Sequence, residues 1–117
     1  MLERDVEKEI RVYAEAKGLI SIKLSGPGNR GKPDRLFFWR GRVLIMEVKK
    51  PGEKPTKLQQ QWLTTFKDAD FDACWADRPG LGKTLIDTFI AKTDAERDGV
   101  KAVKVAKKDE MEWEAGL

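Results

Sequence analysis

The sequence predicts an α/β domain whose elements run α-β-β-β-α-β-α. Three observations carry that reading. The amino terminus has a helical apolar stripe, residues 19–49 are rich in β-branched and apolar runs, and helical spacing returns after Pro51-Gly52.

Residues 2–17 place Leu2, Val6, Ile10, Tyr13 and Ala14 on one helical face, and Gly18 is placed to end the helix. Residues 19–24 alternate and read as a strand. Residues 25–33 hold three Gly and two Pro, so they form a loop. Residues 35–39 and 42–49 are strands joined around Arg40-Gly41, and the unbroken run Val43-Leu44-Ile45-Met46 marks a central strand. Residues 56–68 form a helix with Thr56 as N-cap and Leu58, Trp62, Leu63 and Phe66 inward. A short strand over 71–76 and a last helix over 83–92 follow. The domain is expected to span 1–93. Residues 94–117 read as a charged extension, an edge strand or a loose tail.

Composition excludes several chemistries. The 117-residue chain has no His and one Cys, so neither a His-dependent triad, a His-ligated zinc nor an internal disulfide can exist. Cys74 alone fits a reducing, cytoplasmic setting. No signal peptide and no apolar run near membrane-spanning length is expected. Residues 23–57 carry ten Lys/Arg against three acids, although the net charge is only +3. Such a concentrated basic stretch points to a polyanion, against the plainer reading of a solvated surface.

The chemistry centres on Pro33-Asp34 and Glu47-Val48-Lys49. Residues two apart on a strand share a face, so Glu47 and Lys49 point together. Pairing the two strands brings Asp34 to the same end. Two carboxylates there could hold a hard divalent cation through oxygen, with Lys49 beside it. The alternative is a structural ion pair. Charges interrupting an apolar strand are costly unless paired or metal-bound, which favours a site.

These residues resemble the PD-(D/E)XK nuclease superfamily. The strings Glu3-x-x-Val6-Glu7, Ser25-Gly26-Pro27-Gly28-Asn29-Arg30-Gly31-Lys32-Pro33-Asp34-Arg35, Glu47-Val48-Lys49-Lys50-Pro51-Gly52 and Leu58-Gln59 are similar to the small phage and bacterial VRR-Nuc domains over residues 2–77. The resemblance implies a restriction-endonuclease-like core, with a mixed sheet flanked by helices. It implies Mg²⁺- or Mn²⁺-dependent hydrolysis of DNA phosphodiesters, on branched or junction DNA, by a homodimer in a bacterial or phage-infected cytoplasm. Asp34, Glu47 and the backbone carbonyl of Val48 match metal ligands, Lys49 the catalytic lysine, Gln59 a supporting residue, and Glu3 the acid of the first helix. Glu7 is its rival. The apolar stripe centres about 50° from Glu3 and about 90° from Glu7, so Glu3 is expected to point inward and Glu7 to be solvated or peripheral. Lys23, Arg30, Lys32, Arg35 and Lys50 are expected to hold DNA phosphates. A non-catalytic DNA-binding module is the alternative.

Gly80-Leu81-Gly82-Lys83-Thr84 mimics the end of a phosphate-binding loop, but Asp77 stands where that motif needs Gly. No nucleotide cofactor is expected. Cys74 lies in an apolar strand and reads as core.

Overall fold

The apolar stripe of the first segment closes on itself as α1 (Glu3–Ala16), with Val6, Ile10 and Ala14 fully buried. The structure is a computed structural model. It describes residues 1–24, 28 and 30–107, with side chains as far as residue 99. Gly18 adopts φ +98°, and the chain reverses so that the Leu19 N–H reaches the Ala14 carbonyl at 3.1 Å. β1 (Ile20–Lys23), β2 (Arg35–Trp39) and β3 (Arg42–Val48) then form an antiparallel meander. Arg40 and Gly41 both have positive φ, as a two-residue hairpin turn requires. α2 (Lys57–Asp68) crosses over to β4 (Asp72–Ala76), which pairs parallel with β3. The sheet order is β1-β2-β3-β4, a mixed sheet flanked by helices.

Alternation sorts the side chains into two layers. Phe37, Leu44, Met46 and Val48 face α1 and α3 (Pro79–Lys107), with Val6, Ile10, Ile86 and Phe89. Ile45 faces α2 with Leu63 and Ala73. β3 is buried on both faces, which is why its sequence is a continuous apolar run. Each fully buried large side chain contributes about 1.5–3 kcal/mol. Among the described residues no helix is long and apolar enough to cross a membrane.

The last helix corrects the sequence reading. Its spacing predicts residues 83–92, yet it runs from Pro79 to Lys107. The boundary at 93 therefore falls inside a helix, and residues 94–107 are neither an edge strand nor a loose tail. Ion pairs tie its middle to the β2–β3 hairpin. Arg40 bridges Asp94 at 2.8 Å and Asp98 at 3.2 Å, one helical turn apart, and Arg42 pairs with Glu96. The Trp39 indole also donates to Asp94 at 2.9 Å. Residues 108–117, like Ser25, Gly26, Pro27 and Asn29 of the glycine-rich loop, lie outside the described residues.

Candidate active site

Asp34 stands just before β2 and its backbone is held on both sides. Its N–H donates to the Met46 carbonyl at 3.1 Å, and its carbonyl accepts the Leu24 N–H at 2.8 Å. The side chain turns toward the end of β3, where Oδ2 accepts the Val48 N–H at 2.8 Å. Pairing between β2 and β3 ends at Arg35↔Met46, so Val48 has no strand partner on that side. On its other side β3 continues against β4, with the Lys49 N–H on the Ala76 carbonyl at 2.8 Å. The strand end is thus rigid while one flank of it stays open to the Asp34 carboxyl.

Glu47 and Lys49 share a face and are both buried, at 2% and 7% exposure. Lys49 Nζ lies 4.0 Å from Glu47 Oε2, 3.6 Å from Glu53 Oε1 and 3.2 Å from Gln59 Oε1. Gln59 is held by the start of α2. Its N–H donates to the Thr56 hydroxyl at 3.2 Å, and its Oε1 accepts the Thr56 N–H at 2.8 Å, a reciprocal cap. The structure therefore brings Asp34, Glu47, Lys49 and Gln59 together, with Gln59 touching Lys49 rather than the carboxylates.

The two carboxyls are poorly accommodated as anions. Burial, then the neighbouring Asp34 charge, pushes Glu47 up to about 8, against the pull of Lys49. Asp34 is raised too, mainly by burial, with the Val48 N–H opposing. Glu47 Oε1 is buried without a hydrogen-bond partner among the described residues. A buried, unpartnered carboxylate oxygen beside a second carboxyl is a donor set wanting a cation. Among the described residues no group of three His, Cys, Asp or Glu side chains converges. The available set is Asp34, Glu47 and the Val48 carbonyl, all oxygen. Mg²⁺ keeps several waters and binds through one or two carboxylates, so these residues fit it and Mn²⁺.

The first helix reverses the expected burial of its acids. Glu3 is exposed, while Glu7 is half-buried and already paired, to Arg35 Nε at 3.1 Å and Lys23 Nζ at 3.6 Å. Glu7 is thus not solvated. Glu3 lies at the rim, where burial first and then the Asp34 charge raise its carboxyl. Arg35, expected on DNA phosphates, is 8% exposed and spent inside the fold on Glu7 and on the Ser21 hydroxyl. Its place on β2 explains this, because Arg35, Phe37 and Trp39 share the inward face. Arg30 and Lys50 are exposed, Lys23 is exposed beside Glu7, and Lys32 sits over the Trp62 ring at 5.3 Å.

Two residues were given no place at the site from sequence. Glu53 reaches Lys49 from the turn after β3, four residues on. Asp77 Oδ2 accepts the Gly52 N–H at 3.1 Å and pins that turn to the end of β4. The nucleotide-like segment forms the start of α3, where Gly82 is covered by Ile10 so closely that a Cβ would collide. Burial pushes the Cys74 thiol up to about 12, away from nucleophilic use.

Comparison with known proteins finds sequence and structural likenesses to this geometry. No protein-family model matches the chain. A curated protein named "Putative nuclease p44", of Acyrthosiphon pisum secondary endosymbiont phage 1, is 41% identical over 58 residues, which is 49% of this chain and 62% of that protein. The match thus spans less than two thirds of the relative's length. A solved structure described as a VRR_NUC domain superposes with a TM-score of 0.65 at 28% identity, over 73% of this chain and 94% of that one. The fold that these residues build is that of a VRR-Nuc domain.

Proposed function

We propose that this protein is a Mg²⁺- or Mn²⁺-dependent DNA endonuclease that hydrolyses phosphodiester bonds, with branched or junction DNA as its substrate. The observation that carries the reading is the buried Glu47 carboxyl with its orphaned oxygen, set beside Asp34 and Lys49. The relative named as a nuclease and the VRR_NUC structure support it. Asp34, Glu47 and the Val48 carbonyl would hold the cation, with Glu3 at the rim. When bound, such a cation supplies charge stabilisation at the phosphate and lowers the pKa of water.

The remaining work falls to the chain's own groups. Lys49 presents a fixed ammonium that can orient the attacking water or neutralise developing negative charge. Gln59 and Glu53 hold that ammonium in place. Arg30 and Lys50 supply exposed charge for backbone phosphates. No step needs His, in keeping with a chain that has none. The lone thiol suits work in a bacterial or phage-infected cytoplasm.

The test is the purified protein on linear, nicked, flap and four-way-junction DNA, with Mg²⁺, Mn²⁺ or chelator, beside Asp34→Ala. Cation-dependent cleavage abolished in the variant supports the reading. DNA binding without cleavage under every condition would make the protein a binding module that keeps the nuclease fold.

A further inference from the structure

Lys32 stands two residues before Asp34, and Trp62 three residues after Gln59, about 4.5 Å along the axis of α2. Outside the carboxylate site these two side chains meet. Lys32 Nζ lies over the Trp62 ring, 5.3 Å from its centroid. The backbone on either side of Lys32 fixes the meeting. Gly31, at φ +74°, approaches Leu58 so closely that a Cβ would collide, and Pro33 is fully buried. The end of the glycine-rich loop is thus seated on the first turns of α2.

Trp62 is braced without being enclosed. It is half-buried, whereas the buried residue of α2 is its neighbour Leu63. The Phe66 ring lies against it at 5.9 Å, tilted by 32°, and Phe71 meets Phe66 edge-on at 6.2 Å. Leu58, 40% exposed and four residues earlier on the helix, extends the apolar surface toward the site. Arg30, Lys54 and Lys57 stand exposed in the two segments that meet here. Toward the far end of α2 the sign changes, where exposed Asp68 and Asp70 outnumber Lys67 just before Phe71.

A braced aromatic ring with cations at one end matches a nucleotide, which carries a flat base and a negative phosphate. We infer that Trp62 and Lys32 form a docking site for one unpaired nucleotide beside the cut, the base stacking on the ring while the Lys32 ammonium moves to the adjoining phosphate. Magnitudes favour that exchange. A cation over an exposed ring contributes about two- to fivefold to an equilibrium. A base stacked on an aromatic side chain contributes about five- to 150-fold. The ammonium gains as well, since a phosphate is a charge-assisted partner and a ring is not.

Lys32 therefore covers the ring while no base is present and yields it when one arrives. In a paired duplex each base is stacked on its neighbours, so only an unpaired nucleotide can take the place. Asp68 and Asp70 repel phosphates from the Phe71 end, which confines the strand to Trp62 and the basic end. The site deepens the nuclease reading by naming an unpaired nucleotide as the feature of branched DNA that is recognised. It rests on that reading for the place of the cut, whereas the binding itself does not.

The test measures binding of the full chain, in chelator, to a labelled short oligothymidylate and to an abasic oligomer with the same number of phosphates. The wild type is expected to bind the oligothymidylate about five- to 150-fold more tightly. Trp62→Ala should lose that preference, and Trp62→Phe, which keeps a ring, should retain most of it. Lys32→Met should weaken both oligomers alike, as one fewer phosphate contact does, and keep the preference. The oligothymidylate should quench indole emission in the wild type and far less in Trp62→Phe. Equal affinity of the wild type for the two oligomers overturns the proposal, with no variant needed to see it. A preference that survives Trp62→Ala, quenching undiminished in Trp62→Phe, or a preference lost in Lys32→Met overturns it too. None of these measurements reads cleavage. An inactive protein that shows the preference sinks the nuclease reading alone, and an active one without it sinks this proposal alone.

Discussion

One oxygen, Gln59 Oε1, accepts both the Thr56 N–H at 2.8 Å and the Lys49 ammonium at 3.2 Å. The start of α2 and the position of the lysine are therefore a single arrangement. Gln59→Ala is expected to lower Tm through the missing cap, worth about 1 kcal/mol. It should also lower kcat about tenfold with little change in KM, because Lys49 is less well held rather than removed. Lys49→Ala should lower kcat by a further factor of ten or more, as removal of a charge aimed at the reacting phosphate does, while DNA affinity falls little. Equal losses in affinity and rate for Lys49→Ala would make it a binding residue only.

Asp34→Ala and Glu47→Ala are expected to abolish cleavage, a loss of at least about 10³-fold, with far-ultraviolet circular dichroism retained. Calorimetric titration with Mn²⁺ should show binding to the wild type and none to either variant. Wild-type cleavage by either variant would displace the site.

Stability without divalent cation should fall as pH rises. Glu47 titrates near its ordinary 4.5 when unfolded and at about 8 when folded. Between those values the folded chain holds more protons, so the stabilisation is complete below 4.5 and disappears on the way through 8. A change of about 1 kcal/mol shifts Tm by roughly 4–8 °C. Thermal melts in chelator at pH 6 and pH 8.5 check this, and Glu47→Gln should flatten the difference.

Glu7→Gln should destabilise the fold by roughly 2 kcal/mol, since it leaves the buried Arg35 guanidinium short of its charged partner. Glu3→Gln, at an exposed position, should leave Tm unchanged and raise the Mn²⁺ concentration needed for half-maximal cleavage. Urea unfolding and a Mn²⁺ titration of the two variants separate the roles.

Arg30→Ala or Lys50→Ala should weaken binding to all DNA shapes and reduce the salt slope by about 0.9 for each phosphate that is no longer neutralised. Arg35→Ala should instead lower Tm. Binding isotherms over a salt series, set beside melts, distinguish the surface cations from the buried one.

The sequence showed the Glu47 and Lys49 pairing because a strand's period of two is strict and their setting is apolar. It showed the hairpin at Arg40-Gly41 and the Thr56 cap because turns and caps have local chemistry. It hid the extent of α3, since Asp94, Glu96 and Asp98 find their arginines more than fifty residues away. It also inverted the burial of Glu3 and Glu7. A helical wheel measures direction about one axis and cannot know that Arg35 waits opposite one turn of it. Arg35 itself was readable as inward from its alternation with Phe37 and Trp39, a signal that a sum of charges discards.

Every candidate site residue from Glu3 to Gln59 lies in the first 59 of the 117 residues, about half of the chain, yet that half is not a portable module. β3, which carries Glu47, Val48 and Lys49, is hydrogen-bonded along one side to β4, and the turn after it is pinned by Asp77. A fragment ending at Gln59 would own all of the chemistry and expose the full inner edge of its central strand. Transplanting the site into another scaffold would therefore require the silent second half as well, because the rigidity of the first is borrowed from it.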